Sequence, residues 1–313
     1  MSQGVGEVFA ALSVAGWGLL GVAAFHLVPL AGDALGWRAL LRTRQSVPLR
    51  VVLYGRWIGE SVNGLLPVAQ VGGSVVKATL LSRRGVPGPF AGASVVVDVT
   101  TLVATQIGFT LFGIALLGTR VGGGDLAPTA AAGAMLMSLL LLLFYLSQRR
   151  GLFGVLAGAL RRLAPQGAFA SRLRDGARTL DQEVSTLYGQ GAALTRALAW
   201  HALAWLVGAG EVWLALRLLG HPVDLSQALL LESLGQAIRA AAFAIPGALG
   251  VQEGGYLMLG ALLGIGPETS LALSLTKRVR ELTLGIPGLV VWQIEEANAL
   301  LGDRSGTPGA EKR

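Results

Sequence analysis

Cysteine is absent from all 313 residues, which excludes disulfides, thiolate metal sites and cysteine nucleophiles. Charge is scarce as well. Only 14% of residues are Asp, Glu, Lys or Arg, against about 25% in an ordinary soluble domain, so most of this chain is not built for contact with water. The sequence also lacks HExxH, GxSxG, P-loop and DxD-like patterns, which removes the common zinc-hydrolase, serine-hydrolase and nucleotide-hydrolysing classes. No enzyme activity, cofactor or metal is therefore expected. The GGG at 122–124 stands alone in a short segment and reads as a turn rather than a phosphate cradle.

What remains is apolar. Hydrophobic residues make up 53% of the chain and mean hydropathy is +0.61, the composition of a polytopic membrane protein. Runs such as Val8 to Val28 and Leu126 to Ser147 have the length that crosses roughly 30 Å of hydrocarbon. The 45 glycines let helix backbones approach closely, as lipid-embedded bundles require. The net charge of +7 raises the question of nucleic acid, but the arginines cluster between apolar runs, as cytoplasmic loops demand, so nucleic-acid binding is not expected. The first apolar run lacks a basic leader and exceeds a signal-peptide core, so it reads as a retained first span.

The pattern predicts an all-α transmembrane bundle: spans at about 8–29, 90–118, 126–147, 197–219 and 269–297, a basic interfacial stretch at 31–50, and broken segments at 51–84 and 226–265. One membrane domain covers 1–300, its halves at about 1–147 and 193–300, with a disordered tail at 301–313. The polar section 148–192 carries Leu173, Ala177, Leu180, Val184 and Leu187 at 4,3,4,3 spacing, one amphipathic helix on the cytoplasmic face. If both broken segments are re-entrant, the basic loops place the N-terminus outside and the C-terminus inside; a full crossing by either changes the orientation of the first span.

Each broken segment is an apolar run interrupted by helix breakers: Pro67, Gly72 and Gly73 in the first, Pro246, Gly247 and Gly250 in the second. Breaks at membrane depth survive only against protein or a wet cavity, and paired breaks point to a transport site. A second proline follows each at a similar distance. Glu60 and Arg239 both lie seven residues before the first proline of their segment; Asp98 and Arg278 both lie eleven after the second. An inverted repeat with that register would bring opposite charges together. Arg56, Glu60 and Asn63 share one helical face, as do Glu232, Gln236 and Arg239. Lys277 and Glu281, at i and i+4, neutralise each other in this reading, leaving Arg278 and Arg280 for Asp98 or a headgroup. The alternative for each pair is a local contact that only holds the bundle together. His201 and Glu211 read as packing or cavity lining rather than metal ligands.

The stretches RWIGESVNGLLPVAQVGGSVVKATLLSRRGVP, SVVVDVT, AFAIPGALGVQEGGYLMLGALLGI and SLALSLTKRVRELTLGIPGL resemble the flippase-like membrane region of lysylphosphatidylglycerol synthases, and within that superfamily the membrane proteins associated with hopanoid biosynthesis. PGALGVQE, with Gly247, Gly250 and Glu253, carries the most recognisable part. The resemblance implies a bundle in the bacterial inner membrane that moves a phospholipid or hopanoid between leaflets, beside lipid-synthesis enzymes. Arg56, Lys77, Arg239, Lys277, Arg278 and Arg280 would then meet phosphate at the half-helix N-termini, with Glu60, Asp98, Glu232 and Glu253 as counter-ions or proton carriers. A membrane-embedded transferase and a non-catalytic scaffold are the competing readings.

Overall fold

The structure is a computed structural model that describes residues 13, 15–68, 70–121, 126–163, 168–243 and 245–305. Every regular element among them is helical. Helix α1 is Gly18–Leu41, α2 Leu49–Leu65, α3 Gly72–Arg83, α4 Gly88–Val121, α5 Leu126–Arg149, α6 Leu152–Leu163, α7 Ala168–Tyr188, α8 Gly191–Leu218, α9 Leu225–Ala241, α10 Val251–Leu262 and α11 Pro267–Ser305. A single 3-10 turn, Pro246–Ala248, precedes α10.

Three helices are long and apolar enough by themselves to cross a bilayer: α1, α8 and Gly88–Thr119 of α4. A fourth crossing is formed if Met135–Arg149 and Leu152–Ala159, bent by 79°, act as one span. Helix α11 contains the whole of the span expected at 269–297, but Lys277, Arg278, Arg280 and Glu281 within it keep it outside that apolar class.

The two broken segments are helical hairpins. Helices α2 and α3 have 17 and 12 residues, and so do α9 and α10. At 1.5 Å per residue these are about 25 Å and about 18 Å long, each short of a full crossing. The first hairpin is tight because neither helix has a side chain at its crossing: a methyl on Gly73 would overlap the Gly59 carbonyl. The second turns where Gly247, Ala248 and Gly250 take positive φ of 59°, 51° and 78°.

A fourfold order, long helix, hairpin of two short helices, very long helix, therefore occurs twice, as α1 to α4 and α8 to α11. The two units meet head to tail. Gly18 of α1 abuts Leu218 of α8, Gly32 abuts Ala204 and Gly36 abuts His201, so α1 and α8 run antiparallel. Each hairpin's first helix packs on the other unit's long helix. Gly288 of α11 receives Ser61 of α2, and Gly113 of α4 receives Ser233 of α9, small residues in both cases that admit close backbones. An inverted repeat has these contacts in matched pairs.

Several boundaries differ from the sequence reading. The first helix runs to Leu41, so most of the supposed interfacial stretch 31–50 is transmembrane helix; Arg38 and Arg42 sit at its end, where charge complements the C-terminal dipole. Section 148–192 holds two helices, not one. Asp181 of α7 accepts from the backbone N–H groups of Phe153 and Gly154 at 3.0 and 2.7 Å, which starts α6. Helix α11 continues to Ser305, into the expected tail; residues 306–313 and the GGG at 122–124 lie outside the described residues.

Two apolar cores flank the middle of the bundle. One gathers Val22, Ile114, Leu117, Leu216 and Leu231; the other gathers Trp37, Leu41, Phe90, Val97, Val184 and Leu187. Between them, along α1, α4 and α8, lie His26, Asp33, Asp98, His201 and Glu211.

Candidate functional site

The central layer divides into two ionic clusters. In the first, Asp98 is completely buried on α4; its Oδ2 accepts from Lys77 Nζ at 3.0 Å and from Arg56 at 3.4 Å. Arg56 also reaches Asp33 Oδ2 at 2.7 Å. His201 lies between the two aspartates, its Nδ1 2.7 Å from Asp33 Oδ1 and its Nε2 3.1 Å from Asp98 Oδ1. The Lys77 ammonium rests 5.0 Å from the centre of the Trp37 ring, and the Trp37 indole donates to Ser94 at 3.1 Å.

In the second, Lys277 Nζ donates to Glu232 Oε2 at 2.6 Å and lies 3.8 Å from Glu211 Oε1. Arg280 donates to Glu211 Oε2 at 3.1 Å. His26 Nδ1 is 2.7 Å from Glu211 Oε2 and its Nε2 is 2.7 Å from Glu60 Oε1. A side branch pairs Arg239 with Glu281 and with Gln252 at 2.8 Å, while Arg278 holds Glu281 and the Gly247 carbonyl, both at 2.8 Å. Partnering throughout is what burial of charge demands, since an isolated ion in this layer would cost several kcal/mol.

The clusters correspond position by position. Arg56 and Glu232 are each the eighth residue of α2 and α9; Lys77 and Tyr256 each the sixth of α3 and α10; Asp98 and Lys277 each the eleventh of α4 and α11. The histidine pairs match too, His201 of α8 on Asp33 of α1, and His26 of α1 on Glu211 of α8. In two of these correspondences the sign of charge is reversed.

This register corrects the one drawn from the prolines. Asp98 corresponds to Lys277 rather than Arg278, and Glu60 to Gln236 rather than Arg239. Nor do the matched charges pair with each other. Asp98 takes Lys77, Arg56 and His201, and Arg278 takes Glu281, Gly247 and, at 3.5 Å, Glu253. Lys277 and Glu281 do not neutralise each other: Lys277 points to Glu232, and Glu281 is shared by Arg239, Arg278 and Arg280. Each half-helix N-terminus has one of its N–H groups taken from within the chain: Glu253 accepts from the Gly250 N–H at 2.7 Å and Asn63 from the Gly73 N–H at 2.8 Å. Gln236 donates to Glu232 at 2.8 Å. Pro67 is exposed in the turn after α2.

Against these clusters lies a cavity of about 1080 Å³. Its lining combines charged groups, among them His26, Asp33, Arg56, Glu60, Arg239 and Arg280, with apolar ones such as Ile107, Ile114, Trp205 and Met258. Two buried polar atoms on lining residues have no hydrogen-bond partner: Glu211 Oε1, which has only the Lys277 ammonium at 3.8 Å, and Trp205 Nε1. The lining extends to Leu117 and Leu262 but does not include the cluster where Arg83 grips Glu296 at 2.6 and 2.9 Å and Arg84 and Tyr54 hold Glu295. Those ties join the α2–α3 hairpin to the end of α11.

His26 and Asp33 escaped the sequence reading because they fall across the edge of the expected first span. Their seven-residue spacing, which puts both on one face of a helix, was the available signal.

Among families of known proteins, the one described as lysylphosphatidylglycerol synthase TM region matches residues 2–288. No curated protein and no solved structure matches.

Proposed function

The chain belongs to the lysylphosphatidylglycerol synthase TM-region family, and from that premise we propose that it moves or presents a polar-headgroup lipid between the leaflets of a bacterial inner membrane. The observation that carries this reading is the cavity, lined by both charged and apolar groups. An amphiphile needs both surfaces at once: ionic groups for the headgroup and hydrocarbon for the chains, which lowers the cost of drawing the headgroup through the bilayer. At about 1080 Å³ the space is at the upper end of small-molecule sites, enough for a headgroup and the first part of its tails.

The ionic tie among Arg83, Arg84, Tyr54, Glu295 and Glu296 sits at the Arg-rich, cytoplasmic end of the bundle, so this conformation offers the cavity to the opposite leaflet. The protein works as a transporter rather than an enzyme in this reading, its partners being membrane phospholipid or hopanoid and the enzymes that make them. The test uses purified protein in vesicles of phosphatidylglycerol and phosphatidylethanolamine carrying a headgroup-labelled phospholipid. Membrane-impermeant quencher should reach the inner-leaflet label faster than in protein-free vesicles. Equal rates for phospholipid and hopanoid probes, with and without protein, would sink the proposal.

A further inference from the structure

A neutral imidazole has one N–H and one bare nitrogen, and an ionised carboxylate can only accept. His201 has a carboxylate oxygen on each ring nitrogen, Asp33 at 2.7 Å and Asp98 at 3.1 Å, and His26 likewise has Glu211 and Glu60, both at 2.7 Å. Two acceptors on one ring are served together only if both ring nitrogens carry protons or one carboxyl does. At His201 no other donor reaches the ring, so its triad holds one proton more than a neutral histidine and two carboxylates; at His26 the Arg280 guanidinium donates to Nδ1 at 2.6 Å and to Glu211 Oε2 at 3.1 Å, so a neutral ring with its proton on Nε2 suffices.

We propose that Asp33–His201–Asp98 is an exchangeable proton-binding site, and that the protein carries protons across the membrane in step with its lipid. The second half of that statement rests on the lipid-translocation reading; the first does not. Asp33 lines the cavity, so its water reaches the triad, while His201 and Asp98 are wholly buried behind it. A hydronium O–H bond in the cavity breaks as an O–H bond forms on Asp33, and that bond breaks in turn as an N–H bond forms on Nδ1 of His201 along the 2.7 Å contact; release reverses these steps, to water, when the cavity faces the other side. The triad bridges α1 and α8, the helices on which the two repeat units meet, so gain or loss of this proton changes the charge at the seam between the units.

The two histidines face different company. Against His26 stand Glu60 from α2, Glu211 from α8 and, from α11, Arg280, whose guanidinium lies 2.6 Å from Nδ1; Lys277 stands behind Glu211. Against His201 stand Asp33 from α1 and Asp98 from α4, with Arg56 and Lys77 reaching it only through those carboxylates. The guanidinium meets Nδ1 of His26, whereas no cation donates to either ring nitrogen of His201.

The chain has three histidines, and the exposed His221 serves as an internal reference. Nitrogen NMR of histidine-labelled full-length protein in phosphatidylglycerol nanodiscs should show one ring with both nitrogens protonated at neutral pH, reverting to a single proton in Asp33→Asn. Three singly protonated rings in the wild type overturn the proposal without recourse to any variant. In vesicles holding a pH dye and headgroup-labelled phospholipid, lipid transfer should carry protons with it. Lipid transfer without proton movement overturns the coupling and leaves lipid translocation standing. A doubly protonated ring with no lipid transfer keeps the proton site and overturns the translocation reading.

Discussion

Asp98 and Lys277 occupy the same place, the eleventh residue, in the long last helix of two four-helix units that pack head to tail, and each is held by groups from its own unit's hairpin. Asp98 binds Arg56 and Lys77; Lys277 binds Glu232. The bundle keeps the arrangement and inverts the charge.

Removing one member of such a buried pair leaves the other uncompensated. Asp98→Asn should destabilise the protein by about 3 to 5 kcal/mol by stranding Lys77, and Asp98→Asn with Lys77→Met should recover part of that loss because Arg56 retains Asp33. Unfolding in nanodiscs measures both; a double variant less stable than Asp98→Asn alone would contradict the pairing.

The α2–α3 hairpin depends on a glycine contact with backbone. Gly73→Ala should cost about 1 to 3 kcal/mol or more, since the methyl meets the Gly59 carbonyl and neither chain can retreat without parting the helices. Gly108→Ala on α4, where nothing lies within 4 Å, should be neutral or slightly stabilising. Similar melting temperatures for the two variants would refute the tight crossing.

At the tip of the second hairpin, Gly247 has φ of 59° and a Cβ there would lie 2.8 Å from the Arg278 guanidinium. Gly264 has φ of 70° with open space around it. Alanine at either position bears a left-handed backbone cost of roughly 1 to 2 kcal/mol, but only Gly247→Ala also displaces Arg278 from the Gly247 carbonyl. Lipid transfer should therefore fall in Gly247→Ala and not in Gly264→Ala at matched stability; equal transfer rates would remove the tip from the working site.

Since the chain has no cysteine, single cysteines report access on a silent background. Ser74 lines the cavity, whereas Ser94 and Ser274 are completely buried. Impermeant maleimide should label Ser74→Cys from one side of the membrane and leave Ser94→Cys and Ser274→Cys untouched from both. Labelling of all three, or of Ser74→Cys from both sides equally, would rule out a one-sided cavity.

The helix breaks were readable because Pro67 and Pro246 with their glycines interrupt otherwise apolar runs, and that chemistry is local. The repeat was readable as well, but its register was not. Pro87 lies just before α4 while Pro267 is the first residue of α11, so a ruler laid from these prolines is one residue out, and one laid from Pro67 and Pro246 is three out. Asp98, Lys77 and Arg239 were conspicuous as charges in apolar surroundings. Their partners were not, because pairing is decided by which helices touch, and α1 against α8 is a contact between the two halves of the sequence. Asp33 shows the limit: near the end of an apolar run it looks like an interface residue, and only the extension of α1 to Leu41 carries it into the bundle.

Both repeat units belong to one chain, and each histidine triad draws on both. A site shared between separate subunits disappears on dilution, because its halves part with a concentration-dependent equilibrium. Here His201 cannot lose Asp33, nor His26 lose Glu211, without unfolding of the chain itself. A single copy isolated in one nanodisc thus contains a whole set of both triads, and stoichiometry places no condition on their assembly.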